Sequence, residues 1–592
     1  MIDAITLEIL RNRLDAIATQ MQVTLLKSAV SVIIKEGEDG ACGLFRNNGE
    51  MLAQACANPV HLGVMGPAVG QMILRFPIHT MRPGDVYVLN DPYHCGTHIP
   101  DVIMASPVIA DGQVIAMCAA LAHQEDMGGK NFGSMPADAT EIFQEGLILP
   151  PLQLYIAGEK NESVFDLITA NVRMPAALLG DFEAQYASLK LGVRSFLGAV
   201  DEFGVDNVVA GMDALFEQSE ALMRRGIEAI PDGDYNFHDF VDNDGLDIDQ
   251  RIRIEATVSI RGSEATVDLS KTSKQVRGPI NVGYWGAYSA VAFAFRAFTD
   301  PDIHSNAGAN RPIKMIAPLG SIVNPRHPAP VCLRTLTAKR VLDVLYGALA
   351  KAIPDRAVAA SSGSLSVVSF GGVHAATGQL FGCSDIVAGG MGGRPGKDGI
   401  DLIDTDITNS MNIPAEAFEA HFPLRVLTTQ YRPDSGGPGE FRGGMGIERT
   451  IEVTHGPIRC SFRSDRHLTQ PWGIKGGGPG HSYRTRIFRN DGSVQEVPSK
   501  QVFVMETGDA LEILTGGGGG YGDPLVRSIE RVAEDVLNGK VTPEAAEQDY
   551  GVVADPESLT VDVQASLALR EKKKKERGPV SWMIDRGNGI RE

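Results

Sequence analysis

Cysteine is scarce in this sequence and never paired. Seven cysteines, from Cys42 to Cys460, are scattered over 592 residues, odd in number and without a C-x-x-C spacing. That excludes a disulfide framework and suits a reducing, cytoplasmic compartment. No apolar run approaches 18 residues, so no membrane-crossing helix is expected. Met1-Ile2-Asp3-Ala4 starts no basic stretch followed by an apolar one, so no secretory signal is read there. Positive charge is also in short supply: the formal net charge is −19. Nucleic acids and anionic membranes need a positive footprint, so neither is expected as a partner. The one basic run, Lys572 to Lys575, reads as a solvated tail. No G-x-x-x-x-G-K-[ST] occurs. The Gly-Lys pairs at 129–130, 396–397 and 539–540 run on into Asn131, Asp398 and Val541, which excludes a Walker-type phosphate cradle. No self-similarity recurs at a fixed period.

With 43% hydrophobic and 21% charged residues, the chain can bury sizeable cores. The patterning predicts a mixed α/β (α+β), multidomain protein, rich in β-structure and in glycine loops, with a helical N-terminal segment and C-terminal region. Residues 4–34 carry apolar positions at helical spacing, among them Ile5, Ile9, Leu10, Leu14, Ile17, Met21 and Leu25. Strand patterns dominate 231–330, a helix is expected over 338–353, and short strands between glycines over 361–525. Polar helices follow from 528, and the last 25 or so residues read as a tail. The expected domains are 1–230, 231–335, 336–526 and 527–592.

The most informative stretch is 85–125. A short β-run, Val86 to Leu89, ends in the turn signal Asn90-Asp91-Pro92. After the loop to Asp101 come two apolar runs separated by Asp111-Gly112, a strong hairpin signal. Asp101 and His123 lie ten residues before and eleven after that turn, at the open end of the hairpin. A three-residue loop would pair them on one face. A two-residue loop would put them on opposite faces, unless a bulge near Pro107 restored the match. His98 precedes Asp101 by three residues in a loop. Two imidazoles and one or two carboxylates suit divalent zinc, manganese or iron, with an open position left for water or substrate. Asp39 is a further carboxylate that nothing local places near the others. His98-x-x-Asp101 alone is a common chance spacing and reads more readily as satisfied core or surface residues; His123 at the open end of the same hairpin brings the two readings level.

Other features are weaker. The run Gly516 to Gly520 lets a backbone approach an anion, but it also reads as a crowded turn. Ser435 has no His or Asp relay beside it, which argues against a serine nucleophile. Cys95, in the loop before His98, reads mainly as a small buried residue.

At these residues the chain resembles the hydantoinase B/oxoprolinase family. That family includes small-ring amidases acting on N-methylhydantoin and caprolactam, the second half of 5-oxoprolinase, and a large subunit of acetone and acetophenone carboxylases. The resemblance runs through Ile34 to Asp39, Pro59 to Gly63, Asn90 to Tyr93, Gly96 to Asp101, Asp126 to Gly129, Asn412 to Glu416, Asp434 to Gly437, Arg442 to Gly444 and Gly517 to Pro524. It implies a metal, zinc or manganese, on Asp39, His98, Asp101 and His123. It departs from the family at Gln124, where a second His is common, and at Cys95, where Gly is common. It further implies a partner, a hydantoinase A-type subunit holding ATP and magnesium in a hetero-oligomer, and a small cyclic amide as substrate. Glu36, Glu38 and Asp126 are candidate general bases. Two other readings stay open: a subunit of an acetone-type carboxylase, and an assembly subunit with a structural metal.

Overall fold

A computed structural model describes residues 2–375 and 377–592. Helix α1 (Ala4–Ser28) starts at Asp3, whose carboxylate accepts the amides of Ile5 and Thr6, both at 3.1 Å. Leu10, Leu14, Ile17, Met21 and Leu25 form its buried stripe. Ile5 and Ile9 are exposed, against the expectation from periodicity. They lie roughly 100° or more around the helix from that stripe. One turn of helix, α2 (Val32–Lys35), leads into β1 (Gly40–Arg46) and β2 (Met51–Gln54), and α3 (Pro59–Arg75) follows.

Strands β3 (Val86–Leu89), β4 (Asp101–Ala110), β5 (Gln113–His123), β6 (Leu152–Ile156) and β7 (Glu159–Lys160) complete an antiparallel sheet in the order β2-β1-β5-β4-β3-β6-β7. After α4 (Glu162–Thr169) come the long helices α5 (Pro175–Phe203) and α6 (Val205–Glu228). Helices α1 and α5 cover one face of the sheet, against Cys42, Leu44, Met104 and Ala120; α3 covers the other, against Phe45, Ile103, Ala105 and Leu121. With both faces buried, β4 and β5 need no polar side, which is why their sequences read as unbroken apolar runs.

A second sheet, β11-β10-β9-β8, comprises β8 (Gly233–Val241), β9 (Ile252–Arg261), β10 (Glu264–Asp268) and β11 (Ile313–Ile316). Between β10 and β11 lies a helix that the strand expectation for this region missed, α7 (Tyr284–Phe298). Its Ala287, Ala290, Val291, Ala294 and Phe298 are buried at helical spacing. The four-residue α8 (Ala307–Asn310) comes just before β11. Helix α9 (Arg334–Ala352) starts four residues before its expected position and packs against α7, β8 and β9. Of its residues only Lys351 is exposed, so it is the central rod of the molecule.

A third sheet pairs β13 (Leu380–Val387), β12 (Ser366–Val373), Ile458–Arg463 and Lys500–Met505 in that order; a fourth has five strands between Leu424 and Leu514. The glycine run is a crowded crossing of backbones. A Cβ on Gly517 would collide with the Ser435 carbonyl, and one on Gly518 with the Met391 carbonyl. The amides of Gly518, Gly519 and Gly520 are spent on the carbonyls of Gly444, Ala360 and Gly478, at 2.8–2.9 Å. Amides so committed form no anion cradle. The expected C-terminal tail is likewise structured: helix Val563–Arg577 carries the lysine run, and Ile584-Asp585 pairs with Gly473-Ile474. The architecture as a whole is mixed α/β, as expected.

Candidate metal centre

The β4–β5 hairpin decides whether Asp101 and His123 can meet. Its loop has two residues, Asp111 and Gly112, with φ of 49° and 74°, the left-handed pair that a tight hairpin uses. The loop alone would offset the two side chains. Ile109 pairs with Val114, but Val108 pairs with Ala116, so Ile115 is an extra residue, a bulge on β5. The bulge restores the match, and Asp101 sits directly opposite His123. Pro107 is on an internal strand, not an edge. It is tolerated because β3 pairs with β4 only as far as Ala105.

Long-range pairing brings in Asp39. β1 lies beside β5 with Gly40 opposite Ala122, and the His123 amide donates to the Asp39 carbonyl at 3.1 Å. Side chains alternate along strands, so Asp39, Asp101 and His123 share the face on which Ala41, Ile103 and Leu121 meet α3. The first turns of α3 project His61 onto that face. His61 Nε2 is 3.4 Å from Asp101 Oδ2 and 3.7 Å from Asp39 Oδ1. His98 enters from the loop before β4.

The donor atoms converge. His98 Nε2 and His123 Nδ1 lie 3.1 and 3.0 Å from Asp101 Oδ1 and 3.2 Å from each other. Asp39 Oδ2 is 3.8 Å from His123 Nδ1. Ligands at about 2.0–2.1 Å from a tetrahedral zinc sit about 3.3 Å apart, so these separations fit a small divalent ion. The chemistry of the set fits as well. His98 Nδ1 donates to the Cys332 carbonyl at 3.1 Å, which leaves Nε2 as a bare lone pair. Burial, reinforced by Arg334, holds the His98 pKa well below the usual imidazole value. Burial works against charge on Asp101, yet His98, His61 and Arg334 around it hold its carboxyl well below the usual carboxylate range. Burial also opposes protonation of His61, but the Asp101 and Asp39 carboxylates outweigh it and raise its pKa.

A shell of hydrogen bonds positions these groups. Arg334, at the start of α9, places Nη2 2.7 Å from Asp101 Oδ2, and the Thr97 hydroxyl donates to the same oxygen. Asn58, the residue capping α3, donates to Asp39 Oδ1 at 2.9 Å. The cluster borders a cavity of about 30 Å³, space for an ion and a small group. Asp39, His61, His98, His123, Arg334 and Arg463 are in its wall.

Three of the four expected ligands, His98, Asp101 and His123, have donor atoms within 4.8 Å of one another, and Asp39 lies beside them at 3.8 Å from His123; the expected bases lie apart. Asp126 is buried and held by Arg173, with Nη1 at 2.9 Å, and by the Gly128 amide. Glu36 is half-buried and Glu38 exposed. None of the three lines the cavity. Cys95 is half-buried outside the cluster, and burial pushes its thiol up to about 11. Gln124 points to the opposite face of the sheet, where it donates to Gln185 on α5, so the departure there does not touch the donor set. Ser435 donates to the Arg432 carbonyl and accepts the Gly446 amide, a purely structural pattern. Sequence reasoning missed His61, Arg334 and Arg463. Only His61 carried a signal, as an imidazole among apolar residues just after Asn58-Pro59.

A sequence model of hydantoinase B/oxoprolinase matches residues 3–524. The chain belongs to the hydantoinase B/oxoprolinase family. Within the family it is 35% identical, over 588 residues, to the B component of a putative D-/L-hydantoinase from Pseudomonas sp. strain NS671, covering 96% of this chain and 98% of that one. It is 30% identical to the caprolactamase subunit beta of Pseudomonas jessenii over 575 residues, 94% of this chain and 97% of that one. The crystal structure of the ATP-dependent caprolactamase from that organism superposes with a TM-score of 0.87 at 28% identity, covering 96% of this chain and all of that chain. A chain of nucleotide-free acetone carboxylase superposes with a TM-score of 0.88, covering 97% of this chain and 84% of that one. At 20% identity this likeness is one of fold. Among the described residues no helix is long and apolar enough to cross a membrane.

Proposed function

We propose that this chain is the metal-binding subunit of an ATP-dependent hydrolase that opens small cyclic amides of the hydantoin, lactam or oxoproline type, acting with a hydantoinase A-type ATP-binding subunit. The observation that carries this reading is the buried convergence of His98, Asp101 and His123, with Asp39 3.8 Å from His123, beside one small cavity. The relatives named as a hydantoinase B component and as a caprolactamase beta subunit support both the substrate class and the need for a partner. The glycine-run amides, spent on carbonyls, support assigning nucleotide chemistry to that partner.

A cyclic amide is resonance-stabilised and resists attack by water. Phosphorylation of its oxygen on the partner would make the carbon electrophilic and supply a leaving group. A divalent metal, when bound, acts as a Lewis acid and lowers the pKa of coordinated water toward neutrality. The chain's own residues do the rest. Arg334 and Thr97 keep Asp101 ionised and oriented, Asn58 orients Asp39, and the Cys332 carbonyl fixes the tautomer of His98. His61 is the proposed proton acceptor. Its Nε2 faces both carboxylates and so carries the hydrogen, which leaves the buried Nδ1, without a partner among the described residues, as the lone pair that accepts a proton. The largely buried surroundings of the cluster limit its contact with bulk water.

The test is reconstitution with the partner, followed by assay of hydantoin, caprolactam and 5-oxoproline with and without ATP and bicarbonate. Ring opening that needs ATP and both subunits, and is lost in His98→Ala, is the expected result. Bicarbonate-dependent turnover of a ketone, with no cyclic amide opened, would overturn the proposal.

A further inference from the structure

Arg463 ends the strand Ile458–Arg463 of the third sheet, far along the chain from the metal candidates, yet its side chain is in the wall of their cavity. It is only 7% exposed. The other buried arginines except Arg570 are each ion-paired with a carboxylate, for example Arg340 with Asp465 and Arg449 with Asp385. Arg463 has no such partner among the described residues. Its Nη1 donates to the Cys332 carbonyl at 3.2 Å and lies against the Met135 sulfur, which fixes the plane of the guanidinium. Its Nε and Nη2 donate to nothing among the described residues. Burial lowers its pKa to about 10, so it remains cationic near neutrality.

The charges around the cavity favour an anion beside Arg463. Two carboxylates, Asp39 and Asp101, face two guanidiniums, Arg334 and Arg463. Arg334 is already engaged by Asp101. A divalent ion on the four donors would therefore leave the cavity positive, with the Nε–Nη2 edge of Arg463 as an uncommitted pair of donors. Planar guanidinium edges match the paired oxygens of carboxylate and phosphoryl groups.

We propose that Arg463 forms an oxyanion-binding subsite beside the metal centre, so that the molecule processed there carries a carboxylate or phosphoryl group. This rests on the proposed function and specifies the substrate of that same site. The Cys332 carbonyl, shared by His98 and Arg463, sets the distance between subsite and metal.

The experiment titrates the full-length, metal-reconstituted protein with formate and, separately, inorganic phosphate by calorimetry. Wild type, Arg463→Met and Arg463→Lys are compared, and metal content is measured on the same samples. Saturable binding of at least one anion in the wild type, weakened about tenfold or more in Arg463→Met with metal content unchanged, is expected. Formate binding points to a carboxylate-bearing substrate and phosphate binding to a phosphorylated one. Should Arg463→Met fail to fold, Arg463→Lys carries the comparison. It keeps the charge but loses the planar fork, and a severalfold weaker affinity is expected. Equal affinity in wild type and variant, or no saturable binding of either anion, would overturn the proposal. A wild type without metal would count against the metal centre, while the titration would still decide the role of Arg463.

Discussion

Asp101 and His123 sit directly opposite each other across the β4–β5 hairpin, with Asp101 Oδ1 3.0 Å from His123 Nδ1. The single extra residue Ile115 makes that pairing possible by correcting the offset of a two-residue turn. A second carboxylate, Asp39, joins through the neighbouring strand, while Asp126 lies outside the cluster, tied to Arg173. Asp39→Asn is therefore expected to weaken zinc or manganese binding at least about tenfold. Asp126→Asn should keep the metal and lose about 1–3 kcal/mol of stability as a buried charged hydrogen bond is broken. Metal titration and thermal melts of the two variants check the contrast.

Arg334 and Asp101 form a buried pair at 2.7 Å. Arg334→Met leaves the Asp101 carboxylate without its guanidinium, a change that typically costs about 3–5 kcal/mol. The loss should be largest in chelator-treated protein and smaller in metal-loaded protein, because a bound cation offsets the exposed charge. Melting curves with and without metal read this directly; a gap that does not narrow on adding metal contradicts it.

The hairpin, the first helix, the central helix and the glycine-rich β region were legible in the sequence because each depends on local spacing. The register of the hairpin was not, since Asp-Gly identifies the turn but not the bulge three residues beyond it. Nor was the approach of Asp39, which comes from the pairing of β1 with β5 across some eighty residues of chain. His61 looked like one more residue of an apolar helix, and Arg334 and Arg463 are delivered by elements remote in sequence. Helix α7 was hidden by small and aromatic residues that fit a strand as well. The apparent tail folds back because Ile584 finds an open edge at Ile474.

Glycine at 518 answers to sterics, since a Cβ there meets the Met391 backbone carbonyl. Gly518→Ala should destabilise the protein by about 1–3 kcal/mol or more and leave metal affinity in the folded fraction unchanged. ATP binding to the isolated chain that is abolished by this variant, without loss of stability, would restore the phosphate-cradle reading.

Glu145 adds a pH dependence. Burial pushes its carboxyl from 4.5 up to about 8, against the pull of the Cys332 and Val331 amides that donate to Oε1. In the folded state it holds a proton that the unfolded chain has released. Its contribution to stability is full below the unfolded value and is lost as pH rises through about 8. The melting temperature of the wild type should therefore fall more steeply than that of Glu145→Gln between pH 5 and 8, as thermal melts across that range would reveal. Parallel pH profiles would assign the wild-type decline to other groups.

The most direct test of the central claim is the metal content of the purified full-length chain after incubation with zinc or manganese and desalting, compared between wild type and His98→Ala. The account predicts one tightly held divalent ion per wild-type chain and none in the variant, with both proteins folded. A folded wild type that retains no metal, or a variant that retains as much as the wild type, would contradict it.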